Sequence, residues 1–300
     1  MKRFATFFVF LVALASASRA QRVFNGSQEL AFDRPESWAM KYFASVNLLT
    51  GLGAPRATRP GSIELGLEVT SVPTLSARER TVGFGGTKTE DLNRTSVFGR
   101  PRVRVGLPQE VALTVSYLPR VEVFDTETHL VALGVERRLH EGRRWRVGAR
   151  LVGQYGTLAG DFTCSAEDVA GGGDRQRNPF GCEEPSNDEM TIRSASVELS
   201  LAWVGRESSR LEPYLAIAGH QMNLDFQVDA RYSGIVDRTL LLTDGSTLSL
   251  SAGANYRLLQ KSLWTTELFY SPLDVVRPPD GSSSNDALFN IRTFLSVSFG

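Results

Sequence analysis

From Phe289 to Phe299 every second residue is apolar or aromatic apart from Thr293, while Asn290, Arg292, Phe294, Ser296 and Ser298 occupy the positions between. Successive side chains of a strand point to opposite faces, so this segment predicts a strand with one apolar and one mostly polar wall. The same alternation recurs upstream. Ile63, Leu65, Leu67 and Val69 oppose Glu64, Gly66, Glu68 and Thr70, and Val103 and Val105 oppose Arg102 and Arg104. Val111–Tyr117, Val131–Val135, Trp145–Tyr155, Ala195–Trp203, Leu248–Leu258 and Trp264–Tyr270 repeat it, with Glu136, Arg146, Arg150, Glu198, Arg257 and Glu267 on the polar rows. Period-2 runs of this kind predict about ten half-buried strands.

One segment resists. Between Leu211 and Ala230 the even row is apolar except for His220, whereas the odd row turns polar at Gln221, Asn223 and Asp225. Either His220 stands on the apolar outer face, or a bulge near Gly219 exchanges the faces. Residues 21–60 break the period altogether. Pro35 suits a first helical position, and Trp38, Tyr42, Val46 and Leu49 recur at helical spacing before Gly51 and Gly53. A short amphipathic helix is expected from about Glu36 to Leu49. It has three places to go: into a lumen as a plug, onto a membrane surface, or against a partner; burial of its apolar face favours the plug.

The chain start reads as an export signal. Lys2 and Arg3 precede an apolar run, Phe4 to Ala15, and small residues lead to candidate cleavage points after Ala17 or Ala20. That run is too short for a bilayer, which needs roughly 20 residues in a helix. The expected organisation is a signal peptide over 1–20, an N-terminal segment over 21–60 and a strand-built domain over 61–300. Taken with the signal, the aromatic-terminated alternating strand at Phe289–Phe299 resembles the closing strand of a Gram-negative outer-membrane β-barrel. The resemblance is one of pattern, over about 61–300, and singles out no characterised family. It implies an all-β, transmembrane, antiparallel up-and-down barrel of about ten strands, in contact with outer-membrane lipid and lipopolysaccharide and assembled through its C-terminal strand by the barrel-assembly machinery.

The connections agree with that reading. Leu107–Glu110, His140–Arg143, Gly205–Arg210 and Leu259–Ser262 are short, and they alternate with longer stretches at 73–99, 119–127, 157–189, 232–246 and 272–286. Short periplasmic turns facing long external loops are usual in bacterial barrels. Trp145, Tyr155, Trp203, Tyr256, Trp264, Tyr270, Phe289 and Phe299 lie near strand ends on the apolar face, as interfacial girdles do.

Composition changes the picture little. A hydrophobic share of 42% suits a barrel whose strands are half polar. The formal charge is 0, and loss of Lys2, Arg3 and Arg19 with the signal leaves about −3, which argues against nucleic-acid binding. The inward rows carry Glu64, Glu68, Glu136, Glu198 and Glu267 against Arg102, Arg104, Arg146, Arg150, Arg257 and Arg292. Charges shielded from water need partners, so a paired network in a closed or very narrow lumen is expected. Cys164 and Cys182 fall in the longest external loop of an exported chain, and a disulfide is expected between them. The acids around them read as a solvated surface.

No enzyme is expected. His129, His140 and His220 have no convincing nucleophile nearby; His129 with Asp125 and Glu127 comes nearest. Gly83–Thr89 lacks the glycine before Lys88 that a phosphate loop requires. Neither a cofactor nor a metal is expected. The function implied is a structural or narrow-transport barrel. The alternatives are a hydrophobic-ligand transporter with an N-terminal plug, a loop-mediated binding or adhesion protein, and a lipid-modifying barrel enzyme.

Overall fold

The computed structural model describes residues 22–56, 58–123, 126–205, 209–279 and 281–299. The expected signal peptide lies outside them. The barrel strands are β1 (Ile63–Ser71), β2 (Val97–Gly106), β3 (Val111–Val123), β4 (Thr126–Glu141), β5 (Trp145–Gly160), β6 (Asp188–Trp203), β7 (Leu211–Gln227), β8 (Ile235–Leu259), β9 (Ser262–Ser271) and β10 (Leu288–Phe299). Each pairs antiparallel with its neighbours in sequence, and β10 returns to β1 with Ile63 opposite Phe299. The sheet is closed, so every strand finds two partners and no barrel edge faces lipid. The fold is thus a ten-stranded up-and-down barrel of the outer-membrane type. No helix among the described residues is long and apolar enough to cross a membrane.

The outward rows are those the alternation predicts. Leu133, Leu151, Val197, Leu199, Leu215, Ile217, Leu250 and Ile291 are all exposed. In water such a surface would aggregate; in a bilayer it is solvated. Trp145 pairs with Trp203 and Tyr256 with Trp264 at the short-turn rim. Tyr117, Tyr155, Tyr270 and Phe289 lie toward the other rim, Tyr270 opposite Phe289. Trp145 to Tyr155 covers about 33 Å of strand, or about 25 Å along the axis at a tilt of about 40°, the height of an apolar barrel band.

Two expected loops are strands instead. β3 continues to Val123, β4 begins at Thr126 and β8 begins at Ile235, so 119–123, 126–127 and most of 232–246 are strands that extend the wall past the band. Residues 235–246 lack alternation because both faces there meet solvent or the loop cap. The resistant strand β7 needs neither of the expected explanations. Its even row, Tyr214 to Leu224, faces inward without a bulge, and His220 is 3% exposed in the wall. The row is apolar because of what fills the lumen.

That filling is the N-terminal segment. Arg22–Glu29 runs parallel to β8, opposite 235–242, on the edge that β9 occupies lower down. The chain then turns inward: the Leu30 amide donates to the Leu242 carbonyl (2.8 Å), and Gly245 leaves room for the Phe32 ring. Helix α1 (Pro35–Val46) lies inside, with Trp38, Met40, Tyr42, Ala44 and Val46 buried against Leu158, Ile192, Met222, Leu224, Phe269 and Leu288. Pro35 opens it, and Asn47 closes it by donating Nδ2 to the Phe43 carbonyl (2.8 Å), so it ends before the expected Leu49. Its polar groups hang from the long loops. Trp38 Nε1 donates to Asp286 O (3.0 Å), Lys41 Nζ to Asp274 O (2.8 Å) and Tyr42 OH to Pro73 O (2.7 Å). Residues 47–56 then descend without regular secondary structure toward the short-turn rim, bending at Leu52 and Gly53.

Candidate functional site: a clamped plug beneath an apolar cavity

The inward surface has two layers. Around α1 it is apolar; around 47–56 it is charged. In the charged layer Glu68 accepts from Arg100 Nε (2.6 Å) and Arg102 Nε (2.7 Å). Glu136 accepts from Arg104 Nε (2.5 Å) and Arg150 Nε (2.7 Å), and Arg150 also pairs with Glu198. Glu64 stands 3.4 Å from Arg104. Arg146 joins Glu141 (3.0 Å) and Glu212 (2.6 Å) nearer the short-turn rim.

The same side chains hold the plug's backbone. Arg100 donates to the carbonyls of Asn47 (2.8 Å) and Leu48 (2.7 Å), and Arg102 to that of Thr50 (2.6 Å). Arg150 reaches Gly53 O (3.2 Å), Arg104 reaches Arg56 O (3.2 Å), and Glu198 accepts from the Gly51 amide (3.0 Å). Arg292 donates to Leu48 O (2.8 Å) and Ser45 O (3.1 Å) with its guanidinium 3.8 Å from the Phe269 ring centroid. Glu267 accepts from Thr50 Oγ1 and Tyr214 OH, both at 2.9 Å. A segment without regular secondary structure has unpaired carbonyls and amides, and burying them demands partners. The planar Arg fork can bond a carboxylate and a carbonyl at once, which a Lys cannot do as well.

Of the eleven predicted charges, Arg257 does not join them. It is exposed at the short-turn rim, where the register of β8 against β9 shifts before Leu259. Arg100 is the member that alternation missed. Pro101 interrupts the pattern of β2, so the row was read only from Arg102. Gly51 is also part of the clamp. A Cβ there would fall 1.4 Å from Arg150 Nη1 and 2.4 Å from Glu198 Oε1.

Above the clamp, between α1 and the long loops, lies a cavity of about 200 Å³. Met40, Phe43, Leu158, Phe162, Met190 and Phe226 supply much of its wall. Its polar lining includes Glu36, Glu90 and Asp237. Burial pushes the Glu90 carboxyl up to about 8, with Lys88 beside it offsetting part of that cost. The hairpin carrying both residues contains the glycine-rich stretch 83–86, which serves as a turn: Gly85 and Gly86 have φ of +72° and +83°.

The disulfide Cys164–Cys182 is formed, with Cα atoms 5.7 Å apart. It sits with Val228 and Ala230 against the β7–β8 hairpin, and so holds the loop 161–187 over the cavity wall. The loop's acids are engaged locally. Asp188 accepts from the amides of Thr163 (2.6 Å) and Asp229 (2.9 Å), Asp168 closes a capping box with Ser165, and Asp161 pairs with Arg94 (2.7 Å).

The histidines are separate. His220 lies between Ser196 Oγ (2.7 Å) and Ser249 Oγ (2.8 Å), His129 meets the Tyr117 ring edge-on (5.8 Å), and His140 is exposed. Asp125, expected beside His129, lies outside the described residues.

No family model and no curated protein matches the chain. The barrel is similar to several solved structures. The attachment invasion locus protein Ail of Yersinia pestis is 11% identical, with 80% of this chain and all of that chain covered and a TM-score of 0.31. The outer-membrane protease OmpT of Escherichia coli is 9% identical, with 79% and 92% covered and a TM-score of 0.41. The toluene transporter TodX of Pseudomonas putida is 11% identical, with 90% and 77% covered and a TM-score of 0.33. The resemblance is to outer-membrane barrels as a class; their differing roles transfer nothing to this chain.

Proposed function

We propose that the protein is an outer-membrane barrel that binds a small hydrophobic molecule beneath its external loops, while its lumen is closed to ions by the N-terminal plug. The observation that carries this reading is the apolar cavity, walled by α1 and the loop cap directly above a lumen packed with backbone. Its wall is contributed by the helix, by Gln28 of the N-terminal strand, by the four barrel strands β5–β8 and by the loops that carry Val82–Leu92, Phe162–Thr163 and Val228. The charge network then serves as a clamp on the plug rather than as the lining of an ion path. A narrow-transport role for the charges is the weaker reading, since their hydrogen-bonding capacity is taken by 45–56. Residence in the outer membrane, removal of the signal peptide and delivery through the C-terminal strand belong to the same proposal.

Binding of propylbenzene by the purified, detergent-solubilised protein tests it. Saturable binding, abolished in Ala39→Phe, is expected, because a phenyl group at that cavity-lining position occupies the space. Partitioning indistinguishable from a detergent blank would refute the ligand role.

A further inference from the structure

The lining of the cavity goes further than apolarity and size. Among its described residues are three carboxylates and no Lys, Arg or His. Glu36, in the first turn of α1, accepts from the Gly85 amide through Oε1. Its Oε2 is buried without a hydrogen-bond partner, and the nearest cation, the half-exposed Arg34, stands 3.6 Å away. Asp237, on the inward row of β8, has only neutral donors: the Thr239 amide (2.9 Å) and hydroxyl (2.6 Å) on Oδ1, and Tyr232 OH (2.8 Å) on Oδ2. Glu90 is engaged by Lys88, so it is not free to meet a ligand. Two carboxylates therefore border an apolar space with less cationic compensation than buried acids normally require.

The remaining wall carries aromatic faces. Phe43 and Phe162 have ring centroids 5.7 Å apart, Phe162 and Phe226 6.1 Å, and Phe84 completes the set beside Tyr232 (5.4 Å). Aromatic rings attract organic cations through their negative faces, and desolvation strengthens the attraction. A carboxylate ligand would meet three acids and no donor side chain of opposite charge. The volume, about 200 Å³, is somewhat more than the roughly 150 Å³ that accommodates a benzene ring.

We propose that the cavity selects a small apolar molecule bearing one positive charge, an alkyl- or arylalkylammonium of about one ring and a short arm, with the ammonium held by Glu36 and Asp237 and the hydrocarbon among the phenylalanines. This rests on the ligand-binding reading above and names the ligand's charge. It predicts that fatty or aromatic acids of the same size are excluded.

Titration calorimetry of the intact protein in a neutral detergent, each run against a protein-free blank, compares three probes of matched size: 2-phenylethylammonium, propylbenzene and 3-phenylpropanoate. The ammonium is expected to bind about tenfold more tightly than propylbenzene, as a charge-assisted hydrogen bond allows, and the propanoate most weakly. Glu36→Gln and Asp237→Asn should each remove most of that advantage, read as the ratio of ammonium to propylbenzene affinity in the same variant. Both variants are first required to keep the wild-type heat shift on SDS gels. Glu36, whose Oε2 supports no internal hydrogen bond, is the substitution least able to disturb folding. If propylbenzene binds as tightly as the ammonium, or if the propanoate binds best, the charge selection is wrong while the hydrophobic-ligand reading stands. If no probe binds, both fall.

Discussion

At the scale of residues, Glu68, Glu136 and Glu198 each meet two cations or a cation and a backbone donor, while Glu267 is held by two hydroxyls. Glu68 illustrates the consequence. It is wholly buried between Arg100 and Arg102, so Glu68→Gln leaves two guanidiniums without their counter-ion. Breaking a buried pair by removing one partner typically costs about 3–5 kcal/mol, and a fall of that size should appear in denaturant unfolding of the barrel. Arg257→Gln, at the exposed rim, should change stability by less than about 0.5 kcal/mol. The contrast between two charges on inward-parity positions was not readable from alternation, which gives the face of a residue but not its height. Arg100 was missed for a related reason: Pro101 breaks the run that would have revealed it. Glu90 supplies a pH dependence. Its carboxyl is raised from 4.5 to about 8, so the folded cap holds a proton that the unfolded loop has lost. Its stability is therefore greatest below about 4.5, falls as pH rises to about 8 and is level above that. Hydrogen exchange of residues 83–90, corrected for the intrinsic rate, should show more opening at pH 9 than at pH 6, and Glu90→Gln should flatten the difference.

At the scale of elements, the outer faces were legible and the inner ones only in part. Lipid imposes an apolar outer row on every strand, so Val197, Leu199 and Ile291 announce themselves. The inner row answers to whatever fills the lumen. It is charged beside 47–56 and apolar beside α1, and on β7 both rows become apolar where Leu215 and Ile217 back Tyr214 and Ala218. Sequence alone cannot say which of two apolar rows faces lipid. The helix was found from Pro35 and the spacing of Trp38, Tyr42 and Val46, yet it is buried nearly all round rather than on one face. The disulfide followed from two cysteines in the longest expected loop of a chain whose start reads as an export signal. In the chain-entropy model a bridge over a loop of this length contributes roughly 3 kcal/mol. Replacing both Cys164 and Cys182 by Ser should therefore speed tryptic cleavage at the exposed Arg175 and Arg177 while the barrel strands remain protected.

At the scale of the whole molecule, a barrel of ten strands encloses a space slightly wider than side chains alone would fill. Here the remainder is taken by the chain's own N-terminal segment, which enters beside β8, crosses the lumen and leaves at the short-turn rim before starting β1. The barrel, plug and loop cap thereby form one interlocked body, with the apolar cavity at the level where α1 meets the loops. The plug was one of three expected fates for the helix, and burial of its apolar side decided among them; the cavity had no signature in the sequence, since its lining is scattered from Gln28 to Leu241. Gly51 joins the scales: Gly51→Val places a side chain in the space of Arg150 and should loosen the plug, seen as a lowered temperature for loss of the compact band on SDS gels. The most direct measurement is ion conductance of the intact protein in a planar bilayer. Steady insertion without conductance is what a clamped plug predicts. A stable open conductance from the wild-type protein would contradict it, and the charged layer would then have to be redrawn as the wall of a channel.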